Sequence, residues 1–248
     1  MKHIIMDVIV DGIYYNPPGP QPKILLTAIF WLLCLIFAGC LLYTETKKKN
    51  LLCAILKGLA SLCFVLLGIL GYEISNNYIV SENVLAGLIL GMIGDILLNL
   101  RHVFPKKYAQ KIFLAGILAF FAGHVMYILA LIPQSSCLTV SVIAGVVLSA
   151  VLIRWIYSRI TAIPVFRIFG VFYLGAIMIM TCIVLGIVFT EPSAFSGIFS
   201  AGALMFLASD IILILNMFGQ KSKNSLRIAN IVLYYTGQLL IASSLQFI

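Results

Sequence analysis

The chain has 248 residues, of which 62% are hydrophobic and 10% charged, and its mean hydropathy of +1.14 lies far outside the range of soluble domains. A hydrocarbon core roughly 30 Å thick takes roughly 20 apolar residues per helical span, so the length accommodates about eight spans and leaves no room for a separate soluble domain. The formal charge of +8 does not point to nucleic acid, because the basic clusters lie between apolar runs, where such residues orient helices.

In chain order, residues 1–23 hold Asp7, Asp11 and the turn cluster Pro17-Pro18-Gly19-Pro20. This order of residues is expected of an exterior N-terminal segment and not of a cleavable signal peptide. The apolar pattern then predicts an all-α fold of eight transmembrane helices, at about 24–43, 51–70, 84–100, 112–132, 138–157, 168–189, 196–218 and 228–247. One transmembrane domain over 1–248 is expected. Cys34, Cys40, Cys53, Cys63 and Cys182 fall within apolar runs without metal-ligand spacing and read as small core residues. No metal site and no cofactor is expected.

Loop charge sets the expected orientation. The connections after the first, third, fifth and seventh spans, with their flanks, carry 13 of the 16 basic residues: Lys47, Lys48, Lys49, Arg101, Lys106, Lys107, Lys111, Arg154, Arg159, Arg167, Lys221, Lys223 and Arg227. Loops on the other side carry Glu73, Glu82 and Glu191. Basic loops stay cytoplasmic, so both termini are expected outside, which requires an even number of spans.

The third and seventh spans share a short repeat, Gly94-Asp95-Ile96-Leu97-Leu98 and Ser209-Asp210-Ile211-Ile212-Leu213. The same offset carries Gly123-His124 to within one residue of Gly237-Gln238, and Lys57 close to Tyr173. Two parallel four-helix repeats, about 24–132 and 138–248, are therefore expected, related by a pseudo-twofold along the membrane normal.

An ionisable group in hydrocarbon costs at least about 2.5 to 3.5 kcal/mol on insertion scales, so Asp95 and Asp210 need an interior partner or a wet cavity. Gly87, Gly91 and Asn99 share the helical face of Asp95, a small-residue stripe ending in two polar groups. His124 shares a face with Phe120 and Tyr127, and Gln238 shares one with Tyr234 and Asn230. His124 reads as a helix-bridging hydrogen-bonder or a proton carrier, and Gln238, which does not titrate, as a group that orients ligand. Lys57 either snorkels to headgroups or serves as the cation for a phosphate or for the aspartates. Arg154 and Arg167 lie close enough to a loop for snorkelling and topology to account for them.

These residues together resemble the YhhN family of lysoplasmalogenase-like membrane proteins. The resemblance covers nearly the whole chain. It rests on Lys57, Gly94-Asp95-Ile96-Leu97-Leu98, Phe120 with Gly123-His124 and Tyr127, Tyr173, Phe206 with Ser209-Asp210, and Tyr234-Tyr235 followed by Gln238-Leu239-Leu240-Ile241-Ala242. The sequence departs from the family pattern in its long N-terminal segment and in Gly237, where Ala is expected. The resemblance implies a hydrolase with a lysophospholipid substrate, lysoplasmenylethanolamine or lysoplasmenylcholine, whose vinyl-ether bond is cleaved to a fatty aldehyde and a glycerophospho-alcohol.

Such a bond breaks when its β-carbon is protonated and water captures the resulting oxocarbenium ion. That path needs an acid and a base, and two carboxyl groups sharing a poorly solvated cavity do not readily both ionise. Asp95 and Asp210 are thus the candidate catalytic pair. Lys57, Asn99, His124, Tyr127, Tyr173, Tyr234, Tyr235 and Gln238 are the candidates for binding or orienting substrate. A Ser-His-Asp order or Gly-x-Ser-x-Gly turn is not evident. Two competing readings are a lipid or small-molecule transporter and a non-catalytic lipid-binding protein; the apolar stretches Leu62 to Leu70 and Ile179 to Val188 argue against a continuous transport path.

Overall fold

A computed structural model describes residues 9–10, 13–14, 23–47, 49–161, 163–220 and 222–248. The exterior segment expected over 1–23 therefore lies mostly outside the described residues, as do Lys48 and Lys221 among the basic loop positions. Ile9–Val10 pairs with Ile13–Tyr14 in a two-residue antiparallel ladder.

Eight long helices follow: α1 Ile24–Thr46, α2 Asn50–Ile74, α3 Tyr78–Leu100, α4 Lys106–Leu131, α5 Leu138–Tyr157, α6 Pro164–Thr190, α7 Ala194–Phe218 and α8 Asn224–Ser244. All are long and apolar enough to cross a membrane, and the protein is a multi-pass membrane protein. Most run past the predicted spans. The apolar windows mark the hydrocarbon core, whereas each helix continues until its end groups find another partner. Asn77 accepts from Val80 N at 3.3 Å to start α3 six residues early, and Pro164 stands at the first position of α6, where its missing N–H costs nothing.

Both ends of the helical chain reach the same end of the bundle. Lys23 N donates to Gln246 Oε1 at 3.0 Å, Trp31 Nε1 donates to Ser243 Oγ at 3.1 Å, and Asn76 N donates to Ile248 O at 3.0 Å. At the opposite end Thr161 N donates to Phe218 O at 2.9 Å, tying the α5–α6 connection to the end of α7.

The packing is consistent with two parallel four-helix repeats. The closest helix pairs are α3 with α4 and α7 with α8, and each is set by two glycines. A Cβ on Gly87 would stand 2.9 Å from the Gly123 carbonyl oxygen, and one on Gly123 would stand 3.0 Å from the Gly87 oxygen. In the second half the corresponding figures are 2.7 Å from Gly202 to the Gly237 oxygen and 2.9 Å from Gly237 to that of Gly202. Backbones this close exclude even a methyl group, the device by which helices associate in lipid. It also gives Gly237 its reason, since alanine there would meet a carbonyl. The halves meet where α4 packs on α6 and α8 on α2, contacts that exchange under the repeat. Helices α1 and α5 are peripheral and turn Leu32, Ile36, Val140, Val147 and Val151 outward, as expected where lipid is the solvent. Cys34, Cys53 and Cys63 are core residues, but Cys40 is exposed on the outer face of α1.

Candidate functional site

Asp95 on α3 and Asp210 on α7 line one cavity of about 310 Å³ that opens at the basic end of the bundle. Five residues separate Asp95 from the end of α3 and eight separate Asp210 from the end of α7, which sets them about 8 and 12 Å deep at 1.5 Å per residue. Both are buried, at 1% and 2% exposure. The small stripe beside Asp95 lets α4 and α8 approach: Gly87 receives the Tyr127 ring and Gly91 lies under the Gln238 amide, while the adjacent Gly94 receives the Phe120 ring.

The two carboxyl groups meet unlike partners. Lys57 Nζ stands 3.2 Å from Asp95 Oδ1, while Asp95 Oδ2 accepts from Tyr234 Oη at 2.6 Å and from Ser61 Oγ at 2.5 Å. An ammonium and two hydroxyls together suit a carboxylate, which only accepts. Asp210 accepts from the Tyr173 hydroxyl and has no cation within 4 Å among the described residues. Its neighbour Ser209 is engaged elsewhere, with Asn230 Nδ2 donating to its carbonyl at 2.9 Å and its hydroxyl at 3.0 Å.

Of the ten site residues expected, seven line this cavity: Lys57, Asp95, Asn99, Tyr173, Asp210, Tyr234 and Tyr235. Tyr235 donates to the Lys57 carbonyl at 3.3 Å and so steadies the start of that wall. The other three, His124, Tyr127 and Gln238, do not line it. Tyr127 Oη donates to Gln238 Oε1 at 3.0 Å, a bridge from α4 to α8 made wholly in the interior. His124 is 1% exposed and packs edge-on against Tyr127, Tyr173 and Phe206. Its Nδ1 donates to the Phe120 carbonyl at 2.8 Å, which leaves Nε2 as a buried acceptor without a partner among the described residues.

Several residues of the site are not among those the sequence singles out; Ser61 is one, bonded to Asp95 from behind the cavity wall. Ser61 shares the face of Lys57 one helical turn on, and that spacing is the available signal. Arg101, Arg167 and Arg227, expected to act as topology charges, all line the cavity mouth with His102 and Glu45. Arg227 Nε stands 3.4 Å from Glu45 Oε2. Burial, then the charges of Arg101 and Lys57, hold the His102 imidazole below its usual pKa, in keeping with its accepting from Arg101 Nε at 3.1 Å. One wall is apolar, built from Phe113, Ile117, Phe166, Leu174, Ile214 and Phe218.

The sequence model of the YhhN family matches residues 52–245, more than three quarters of the chain. The chain belongs to the YhhN family. No curated protein and no solved structure matches it. In this YhhN protein the matched region runs from α2 to α8 and so includes both carboxyl groups and every hydroxyl and ammonium partner described above, while α1 with Glu45 lies before it.

Proposed function

We infer that the protein is a membrane-embedded hydrolase that cleaves the vinyl-ether bond of lysoplasmalogens, with basic loops in the cytoplasm and both termini outside. The observation that carries this reading is the pair of buried carboxyl groups on one cavity, one with a cation and one without. Asp210, with only a phenol beside it among the described residues, is the group suited to carry a proton to the β-carbon of the alkenyl chain. Asp95, with Lys57, Ser61 and Tyr234 about its oxygens, is suited to act as the carboxylate that opposes the oxocarbenium charge and takes the proton of the attacking water. Water adds to the α-carbon, and the hemiacetal collapses as the glycerol oxygen leaves with a proton and the aldehyde carbonyl forms. Atoms balance with water as the only co-reactant, and the base ends with the proton that the acid lost.

The shape of the cavity favours hydrolysis over transport. Beyond the aspartates, Phe64, Leu67 and Leu70 of α2 and Met180, Ile183, Val184 and Ile187 of α6 are packed into the core, which closes the far side.

Purified protein given a lysoplasmalogen should release fatty aldehyde, and the ester-linked lysophospholipid should yield no fatty acid. Asp95→Asn and Asp210→Asn should each lower turnover per folded molecule by more than the roughly 10² to 10⁴-fold of a single general catalyst. Normal aldehyde release by either variant would end the two-carboxyl reading.

A further inference from the structure

Four permanently or ordinarily cationic side chains line the cavity, Lys57, Arg101, Arg167 and Arg227, against three carboxyl groups, Glu45, Asp95 and Asp210. Two of the cations are already matched. Lys57 is 3.2 Å from Asp95, and Arg227 is 3.4 Å from Glu45. Lys57 is therefore engaged by Asp95.

Arg101 and Arg167 have no carboxylate within 4 Å among the described residues. Arg101 is the better built of the two. It caps the C-terminus of α3, two residues beyond Asn99 and six beyond Asp95, and its guanidinium lies over the Phe113 ring at 4.4 Å. Stacking of this kind fixes the plane of the group and leaves its edges free for an anion. Its Nε donates to His102, while among the described residues Nη1 and Nη2 reach only the Met217 thioether at 3.9 Å. A thioether is a weak acceptor, so the two-pronged end of a half-buried guanidinium lacks a strong partner. Arg167 lines the same cavity, and its aromatic neighbour Phe166 packs on Phe113 with ring centroids 4.9 Å apart.

We propose that Arg101, assisted by Arg167, binds the phosphodiester of the lysophospholipid headgroup at the cavity mouth. The assignment rests on the lysophospholipid reading above for its substrate class. It places the anion at the edge where water and headgroups meet the protein, and the reacting bond deeper, toward Asp95 and Asp210. A planar fork suits two phosphate oxygens, which a lysine does not match.

Binding is measured on the purified full-length protein in detergent. The first probe is a lysophospholipid with a saturated alkyl ether chain, which carries the phosphodiester but has no vinyl-ether bond to cleave. The second is the 1-alkylglycerol of the same chain length, which lacks the phosphate. The wild type should prefer the phospholipid, and Arg101→Gln should reduce that preference about tenfold or more while leaving alkylglycerol affinity unchanged. Arg167→Gln should act in the same direction more weakly, and Arg101→Lys should retain part of the preference. Equal affinity of the wild type for both probes would overturn the proposal, as would an Arg101→Gln variant that weakens both equally, since that is a structural effect. Inorganic phosphate should compete only weakly; competition at submillimolar concentration would give the site to a free phosphate and reject the lipid headgroup. Failure of the hydrolase reading is distinguishable, because neither probe depends on turnover.

Discussion

An ammonium and a phenol, Lys57 and Tyr173, lie within one residue of the repeat offset and each faces one of the two carboxyl groups. Ser61 and Tyr234 then add two hydroxyls to Asp95, so a few residues make the surroundings of the two carboxyl groups unlike. Lys57→Met should leave the Asp95 carboxyl group without its counter-charge and lower stability by about 3 to 5 kcal/mol, the range for breaking a buried pair from one side. Lys57→Met combined with Asp95→Asn should recover much of that loss, as read from denaturation of the single and double variants; strictly additive losses would mean that the two groups do not interact. Tyr127 offers the contrasting case. Because its hydroxyl satisfies Gln238 away from the cavity, Tyr127→Phe should cost about 1 to 3 kcal/mol through an unsatisfied buried amide and leave activity per folded molecule near that of the wild type. A large selective loss of turnover would return Tyr127 and Gln238 to the chemistry. His124 and Gln238 are legible as a matched pair from the repeat offset. That both turn into the protein interior is not, since the offset relates positions along the chain and says nothing about which side of a helix meets a neighbour.

At the scale of helices, two glycine pairs decide how closely α3 approaches α4 and α7 approaches α8. Gly202→Ala puts a methyl group 2.7 Å from a backbone oxygen, which has no flexible end to move, and should destabilise by about 1 to 3 kcal/mol. Gly197 lies on the same helix, where an added Cβ would meet nothing within 4 Å, and Gly197→Ala should stay within about 0.5 kcal/mol of the wild type. Thermal denaturation in detergent compares the two; equal melting temperatures would deny the close contact. The stripe of Gly87 and Gly91 on the face of Asp95 is readable from the spacing along one helix, whereas the group that fills each gap, the Tyr127 ring or the Gln238 amide, depends on the rotation of α4 and α8. Helix ends are the least readable feature of this scale, because Asn77 and Pro164 set them outside the apolar windows.

For the whole molecule, eight helices bring the two ends of the bundle chain to one side, and the loops at the other side carry the basic residues. A cysteine placed at Ser193 should therefore be labelled by an impermeant reagent from outside intact cells, and one at Ser222 only from the cytoplasm; the reverse pattern would invert the proposed orientation. Amino-acid order alone determined the membrane class, the number of spans and the identity of the two buried acids, and it suggested a repeat with which the packing is consistent. Those are local properties: the length of an apolar run, the sign of a loop, the cost of a carboxyl group in hydrocarbon. Only the tertiary structure decided that Lys57 neutralises Asp95, that Ser61 and Tyr234 join it, and that Arg101 and Arg167 stand at a cavity mouth without acid partners among the described residues. Each of these depends on the rotation and register of helices distant in sequence, set by contacts such as Gly202 against Gly237, and no single segment of chain contains the information that selects them.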